Sequence, residues 1–235
     1  MYVRDLHPWD LSYREAVALQ RRLASMVVRQ GDLPESAVRL VAGADVAAGR
    51  AGKVGVAAVV VVSYPGLEPV ETTVVEAPVT APYIPGLLSF REAPVLVEAF
   101  RGLKTTPDLL IVDGQGYAHP RRFGLACHLG LLLDLPTIGC AKSRLCGEES
   151  PLGAERGSVA PLTDAGEVIG SLVRTQSGIR PVYVSVGHRL SLEACEAWVL
   201  RCAPRFRLPE PTRLADHAAR ERKRALLAQA ARPSA

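Results

Sequence analysis

The stretch that decides the fold is Asp108-Leu-Leu-Ile-Val-Asp113-Gly-Gln-Gly-Tyr-Ala-His119-Pro-Arg-Arg. The apolar run before Asp113 has the length of a buried strand, and the Gly-Gln-Gly turn leads into a helical pattern over 121–134. A second short apolar strand, predicted over 136–141, follows that helix. A strand–helix–strand unit of this size places its two strands parallel in one sheet. The stretch therefore predicts an α/β fold.

Three strand candidates precede this unit, at 38–48, 54–64 and 69–77. Short gaps containing Gly or Pro join them, which is typical of an antiparallel meander. The middle candidate is apolar on both faces, and this predicts a central position in the sheet.

The remaining elements complete one α/β domain, which we predict to span 1–235. A hairpin is expected around Asp164-Ala-Gly, with a further strand over 181–187. Helices are expected at 11–30, from a Ser89 cap through 101, at 191–202 and at 212–231.

The composition is that of a folded chain, with 235 residues, 48% hydrophobic and 22% charged. No apolar run approaches the roughly 20 residues of a membrane-spanning helix, and the first residues lack a secretory pattern. The five cysteines, an odd number without a CxxC pair, predict reduced thiols, and Cys127 and His128 are expected to pack in the core. We therefore expect a cytoplasmic protein without a membrane partner.

The net charge of +4 is unevenly distributed, because residues 201–235 contain nine Lys or Arg and three Asp or Glu. Such a cationic segment can contact the phosphates of a nucleic acid. An Arg-rich solvated helix explains the same charges, and on charge alone it is the favoured interpretation.

Three carboxylates are candidates for metal binding. Asp45 interrupts the first apolar strand, Asp113 closes another strand, and Glu92 lies in the first turn of a helix after a Pro-rich connector. A carboxylate inside an apolar strand is unfavourable unless it is paired or binds metal, and carboxylate oxygens suit Mg²⁺ or Mn²⁺. For each residue alone a local turn or cap is the better explanation. For Asp45 and Asp113 on adjacent strands, the two interpretations are balanced.

Three further residues can serve the same crevice. His119 can shuttle a proton or orient a water, although a helix-entry hydrogen bond also explains it. Lys142 follows a buried strand and can hold a phosphate, or simply extend its charge into water. Tyr83, between Pro82 and Pro85, can form an intercalating wedge or pack its loop onto the core.

These segments together resemble the endonuclease V family, whose members are deoxyinosine 3′ endonucleases. The resemblance covers nearly the whole chain. It is carried by Ala42-Gly-Ala-Asp45-Val, Pro82-Tyr-Ile-Pro-Gly-Leu-Leu-Ser-Phe-Arg-Glu92, the stretch quoted first, Ile138-Gly-Cys-Ala-Lys142-Ser and Pro181-Val-Tyr-Val-Ser-Val-Gly-His188.

The resemblance implies a ribonuclease H-like fold, with a mixed central sheet of an antiparallel meander and then parallel strands, flanked by helices. It implies an Mg²⁺-dependent hydrolase, with Mn²⁺ as a substitute, acting on DNA that contains deoxyinosine. The cut falls at the second phosphodiester 3′ to the lesion and leaves 3′-hydroxyl and 5′-phosphate ends. The chain is expected to act as a monomer, and cleavage at inosine in single-stranded RNA is left open.

The resemblance also implies site residues. Asp45, Glu92 and Asp113 would be the Mg²⁺ ligands, with His119 and Lys142 as catalytic helpers. Either Asp216 or His217 on the last helix would contribute further to the metal site. The implied lesion- and DNA-binding positions are Pro82, Tyr83 as the wedge, Ile84, Pro85, Gly86, Leu88, Gly114 and Gly139.

Three other functions stay open from the residues alone. Another ribonuclease H-like nuclease would cut without a lesion. A non-catalytic nucleic-acid binder would have lost the metal site, but all three carboxylates are present. A small-molecule α/β enzyme would show no salt-dependent affinity for DNA.

Overall fold

The computed structural model describes residues 1–47, 54–79, 82 and 84–230. The strands are β1 (Leu40–Ala47), β2 (Val54–Ser63), β3 (Pro69–Pro78), β4 (Leu109–Val112), β5 (Thr137–Ala141), β6 (Glu148–Glu149), β7 (Val159–Asp164), β8 (Glu167–Val173) and β9 (Val182–His188). The α-helices are α1 (Tyr13–Ala24), α2 (Leu88–Gly102), α3 (Leu125–Leu133), α4 (Leu192–Cys202) and α5 (Glu210–Ala230), and Glu35–Ala37 forms a short 3₁₀ helix.

All nine strands join one sheet in the order β3-β2-β1-β4-β5-β9-β8-β7-β6. The first three strands form the predicted antiparallel meander, with β2 inside it and buried on both faces. Strands β1, β4 and β5 run parallel, whereas β9 returns antiparallel to β5. The predicted mixed α/β sheet is therefore confirmed.

Successive side chains along the strands point to opposite faces of the sheet, and each face carries its own hydrophobic core. Ala42 and Ala44 of β1 face a cluster with the apolar sides of α2 and α3, whereas Val41 faces a cluster that includes Trp198 of α4 and Ala215 of α5. Period-2 strands covered by helices on both faces have this arrangement. Cys127 and His128 are fully buried, which confirms their packing role.

Several helix ends differ from the predicted ones. Helix α1 begins with a Ser12–Glu15 capping box but ends at Ala24, since the Val28 N–H donates to Nδ1 of His188 (3.2 Å). Helix α2 begins at Leu88, so the prediction of Ser89 as its cap was wrong, and Ser89 is buried inside the helix. Arg122, with φ of 58°, delays the start of α3 until Leu125.

The last helix is part of the fold and not a loose tail. Ala215 and Ala219 are fully buried, and α5 lies across β1 and β2. A Cβ at Gly43 would lie 2.0 Å from the carbonyl carbon of Pro211, so only glycine lets the start of α5 approach β1 so closely. Among the described helices, none combines the length and the apolar character needed to cross a membrane.

Candidate active site

The parallel pairing of β1 with β4 brings two of the predicted carboxylates together. Ala44 pairs with Val112, and the next residue on each strand is an aspartate. The N–H of Asp113 donates to the Ala44 carbonyl (3.1 Å), so the pairing continues to the aspartates themselves. Asp45 and Asp113 therefore lie side by side at the carboxyl end of the sheet, where α/β proteins bind ligands.

Helix α5 contributes a third carboxylate, that of Asp216. Asp45, Asp113 and Asp216 each offer one oxygen, and these oxygens lie within 4.8 Å of one another. Of the two residues that the sequence left open on this helix, Asp216 lies in the cluster. The side chain of His217 is 63% exposed and contacts Glu221 at 3.4 Å, on the outer surface.

Lys142 connects these carboxylates. It follows β5 directly, and its Nζ contacts the carboxylate of Asp113 and lies 3.1 Å from Oδ1 of Asp216. Nη2 of Arg207 donates to the Lys142 carbonyl (2.6 Å) and holds its backbone. The sequence analysis did not single out Arg207, because one arginine in an Arg-rich segment gives no local signal.

The cluster holds more negative charge than Lys142 neutralises. Burial, with the charge of Asp113 second, raises the pKa of Asp45 to about 6. Glu92 of α2, the third ligand that the resemblance implies, is not among the three clustered carboxylates. Burial raises its pKa to about 8, with the charge of Asp45 as the next cause and that of Asp113 a further one. The pKa of Asp113 is raised by burial, while its hydrogen bond with Lys142 opposes the rise. Crowded, partly buried carboxylates of this kind fit a hard divalent cation such as Mg²⁺.

A cavity of about 310 Å³ opens beside the cluster. Gly86, Leu88 and His119 line it together with Asp113, Gly114 and Lys142. This volume lies at the lower end of the range of small-molecule sites. Gly139 lies behind the cavity wall, where a Cβ would come within 2.3 Å of the Gly116 nitrogen.

His119 is held in the cavity wall as a neutral ring. Its Nδ1 accepts from the Arg121 N–H (3.1 Å), so Nε2 carries the proton and donates to the Gly86 carbonyl (3.0 Å). Burial, and then the Arg121 charge, lower the pKa of His119 to about 4. Both ring nitrogens are thus engaged at neutral pH.

The predicted wedge is described only in part. Tyr83 lies outside the described residues, so the structure gives no account of it. Its neighbours Pro82 and Pro85 are exposed. Ile84 is partly buried and packs against the hydrophobic cluster that contains Leu19 and Leu23 of α1. The sequence analysis also missed Gln115, whose Nε2 donates to the Ser143 carbonyl (2.9 Å) and links two segments lining the cavity.

A second depression continues from the cluster toward α5. Asp45, Lys142 and Asp216 form its inner part, and Arg220, Lys223, Arg224 and Leu227 of α5 are among its outer residues. Since Lys142 also lines the first cavity, it stands between the two. The cationic residues of the last helix therefore flank the acidic cluster.

Comparisons with known proteins agree on one family. The family model of endonuclease V matches residues 21–217. An endonuclease V of Gloeobacter violaceus is 55% identical over 215 residues, covering 90% of this chain and 87% of the relative. A crystal structure of endonuclease V from Streptomyces avermitilis is 42% identical with a TM-score of 0.88, covering 97% of this chain and 100% of that one.

A structure from Ciona intestinalis adds a ligand. This endonuclease V, in complex with a 24mer DNA containing an inosine followed by a ribo-adenosine, is 28% identical with a TM-score of 0.78. The match covers 89% of this chain and 96% of that one.

The raised carboxyl pKa values predict how stability depends on pH. As the pH rises through about 6 and then about 8, the metal-free folded chain must ionise Asp45 and Glu92. The unfolded chain already ionises both near pH 4, so the stability that protonation provides is lost between about pH 4 and about pH 8. Thermal unfolding in EDTA from about pH 4 to about pH 9 should show a falling midpoint temperature.

Two variants test the origin of that fall. Glu92→Gln should flatten the fall between about pH 4 and about pH 8, and Asp45→Asn only its part below about pH 6, because neither amide ionises. Curves that run parallel for the wild type and both variants would contradict the assignment.

Proposed function

The chain belongs to the endonuclease V family, and we propose that it nicks DNA at the second phosphodiester 3′ to deoxyinosine by metal-assisted hydrolysis. The products carry 3′-hydroxyl and 5′-phosphate ends. The observation that supports this best is the acidic cluster beside a base-sized cavity, with Lys142 lining both. In this proposal the chain acts in the cytoplasm, as a monomer and as one domain over 1–235.

The proposal assigns the cation to the carboxylates. Asp45 and Asp113 of the cluster would hold Mg²⁺, or Mn²⁺ in its place, and Asp216 would contribute through its position in the cluster. Glu92 is proposed as the remaining ligand because it is buried close enough to feel the charges of Asp45 and Asp113. When bound, the cation supplies an activated water and neutralises the charge that develops on the phosphate. Lys142 adds a fixed positive charge on the side of the cluster that faces the cavity.

The proposal assigns the extruded base to the cavity of about 310 Å³. Gly86, Leu88 and Gly114 form its walls, with Gly139 behind them. His119 serves the reaction by holding a wall, since both its ring nitrogens are engaged. The cavity and the acidic cluster adjoin without coinciding, which agrees with a cut displaced from the lesion along the strand.

Inosine in single-stranded RNA is a second candidate substrate. The DNA bound to the Ciona intestinalis relative carries a ribo-adenosine after the inosine. An RNA oligonucleotide with one inosine is therefore the natural second arm of the cleavage assay.

Matched duplexes with and without one deoxyinosine test the reaction itself. With Mg²⁺, the wild type should nick only the lesion strand, and EDTA should abolish nicking. Asp113→Asn should lower the rate by about a hundredfold or more, because the neutral amide holds Mg²⁺ less well and the cation's charge is then missing at the phosphate. Asp10→Asn, a change in an exposed carboxylate far from the cluster in sequence, is the control.

Equal cutting of both duplexes would instead indicate a nuclease that does not read the lesion. Near-normal Mg²⁺-dependent nicking by Asp113→Asn would refute the metal assignment. Asp216→Asn should slow nicking, whereas His217→Ala should leave it near the wild-type rate if Asp216 is the contributor.

The cationic residues of α5 are expected to bind backbone phosphates. Removing α5 would expose the sheet, so we favour charge reversal over truncation. Arg224→Glu should lower the slope of log affinity against log salt by about 0.9, because one phosphate is no longer neutralised. Binding measured in EDTA by fluorescence anisotropy separates this effect from catalysis.

Arg205→Glu is the matched control for that experiment. Arg205 is exposed and borders a different depression, beside Pro65 and Pro69, and its reversal changes the net charge equally. Equal slopes for both variants would mean that the α5 charges are only solvated.

Tyr83 is proposed as the wedge that fills the gap left by the extruded base. Tyr83→Ala should weaken binding of deoxyinosine DNA by roughly five- to a hundredfold, the equivalent of about 1–3 kcal/mol of stacking. Tyr83→Phe should be nearly neutral, because stacking requires the ring and not the hydroxyl. Equal losses on lesion and undamaged DNA would leave Tyr83 as a packing residue.

A further inference from the structure

A buried amide on α1 lies far in sequence from the candidate site but contacts its wall. Gln20 is fully buried, among the apolar residues Ala16, Leu19 and Leu23 of the same helix face. Burying an amide is unfavourable unless its polar atoms are hydrogen-bonded. An apolar side chain would suit the surrounding core, so the contacts of this amide require an explanation.

Both ends of the Gln20 amide are bonded to the two segments beside the cavity. Its Nε2 donates to the carbonyls of Gly86 (2.9 Å) and Phe123 (3.1 Å). Its Oε1 accepts from Nε of Arg121 (2.5 Å). These partners fix the orientation of the amide, because only the nitrogen can donate to carbonyls. Gln20 therefore joins the loop before α2 to the loop before α3.

The Gly86 carbonyl receives three donors. Besides Gln20, it accepts from Nη2 of Arg121 (2.6 Å) and Nε2 of His119 (3.0 Å). The other side of the same peptide is also bonded, since the Leu87 N–H donates to the Ile84 carbonyl (2.9 Å). Hydrogen bonds on both sides restrict the motion of this peptide, and Gly86 lines the cavity.

Position 86 also requires a glycine. Its φ is +78°, and a Cβ would lie 2.6 Å from Nη2 of Arg121. The arginine thus occupies the space beside Gly86 that a side chain would take. The loop cannot move away from the cavity without breaking bonds to two other segments of the chain, helix α1 and the loop before α3.

We propose that Gln20 is a positioning residue for base recognition, which fixes the Gly86 wall of the cavity through its amide donor. The inference rests on the proposed function, because it assigns the cavity to the extruded base. Gln20 itself touches neither the base nor the phosphate. It acts through the Gly86 carbonyl, together with Arg121 and His119.

The test compares two substitutions at this position. Gln20→Glu keeps an acceptor for Arg121 but places a carboxylate oxygen against the Gly86 carbonyl, so only the donated bonds are lost. Gln20→Met fills a similar volume and loses every bond. Both should reduce the preference for deoxyinosine over undamaged DNA by about tenfold in metal-free binding, as expected for loss of a buried hydrogen bond.

Kinetics provide a second readout. Both variants should raise KM for the deoxyinosine duplex more than they lower kcat, because the acidic cluster does not include the Gln20 contacts. Val199→Ala, in the core on the other face of the sheet, is the control for general destabilisation. It should lower the midpoint temperature and keep the preference for the lesion.

The outcomes separate this inference from the proposed function. A wild type that cuts no deoxyinosine strand overturns the proposed function. Variants that fold and keep the wild-type preference, or that lose affinity equally for both duplexes, overturn the role of Gln20 alone. If Gln20→Glu does not fold, Gln20→Met decides, since an unbranched apolar side chain suits both a helix and a core.

Discussion

The site depends on the gathering of like charges beside the end of β4, where it runs parallel to β1. The register of β1 with β4 fixes Asp45 beside Asp113, and the approach of α5 over Gly43 adds Asp216. Partly buried carboxylates repel one another and lose hydration, so this arrangement lowers the stability of the metal-free chain. Lys142 offsets part of that destabilisation through its contacts with Asp113 and Asp216. The rest of the sheet must hold the charges in place.

The backbone around the cluster supplies that rigidity. Gly139 allows the Gly114–Gly116 turn to lie directly against β5. A Cβ at position 139 would lie only 2.3 Å from the Gly116 nitrogen and would push the turn away. The Gly116 N–H donates to Oγ of Ser185 on β9 (2.9 Å). The turn that carries Asp113 is therefore fixed from two strands. Since the same turn leads to His119, the acidic cluster and the cavity wall share one rigid support.

The sequence predicted the strands because apolar runs and short Gly- or Pro-containing gaps are local signals. The helix ends were predicted less well, since the Val28 backbone bonds to His188, 160 residues away. Asp45 and Asp113 could be proposed from the sequence because a carboxylate within or at the end of an apolar strand is conspicuous, whereas Asp216 on α5 was indicated only by the family resemblance. The bonds on Gly86 could not, because their donors come from positions 20, 119 and 121, and no local pattern indicates that one carbonyl will gather them.

The division of charge around the cavity has a chemical consequence. The lining combines uncharged groups, those of Gly86, Leu88 and the neutral His119, with the charged side chains of Asp113 and Lys142. A neutral base can lie against the uncharged groups without burying a charge, provided that hydrogen bonds replace those it makes with water. A phosphate, in contrast, needs the cation-bearing part, and its negative charge is unfavourable beside Asp113 unless Lys142 and a bound divalent cation compensate. Under the proposed function the base and the scissile phosphate would therefore depend on different groups of the lining, and Lys142, which lines both depressions, would lie close to both.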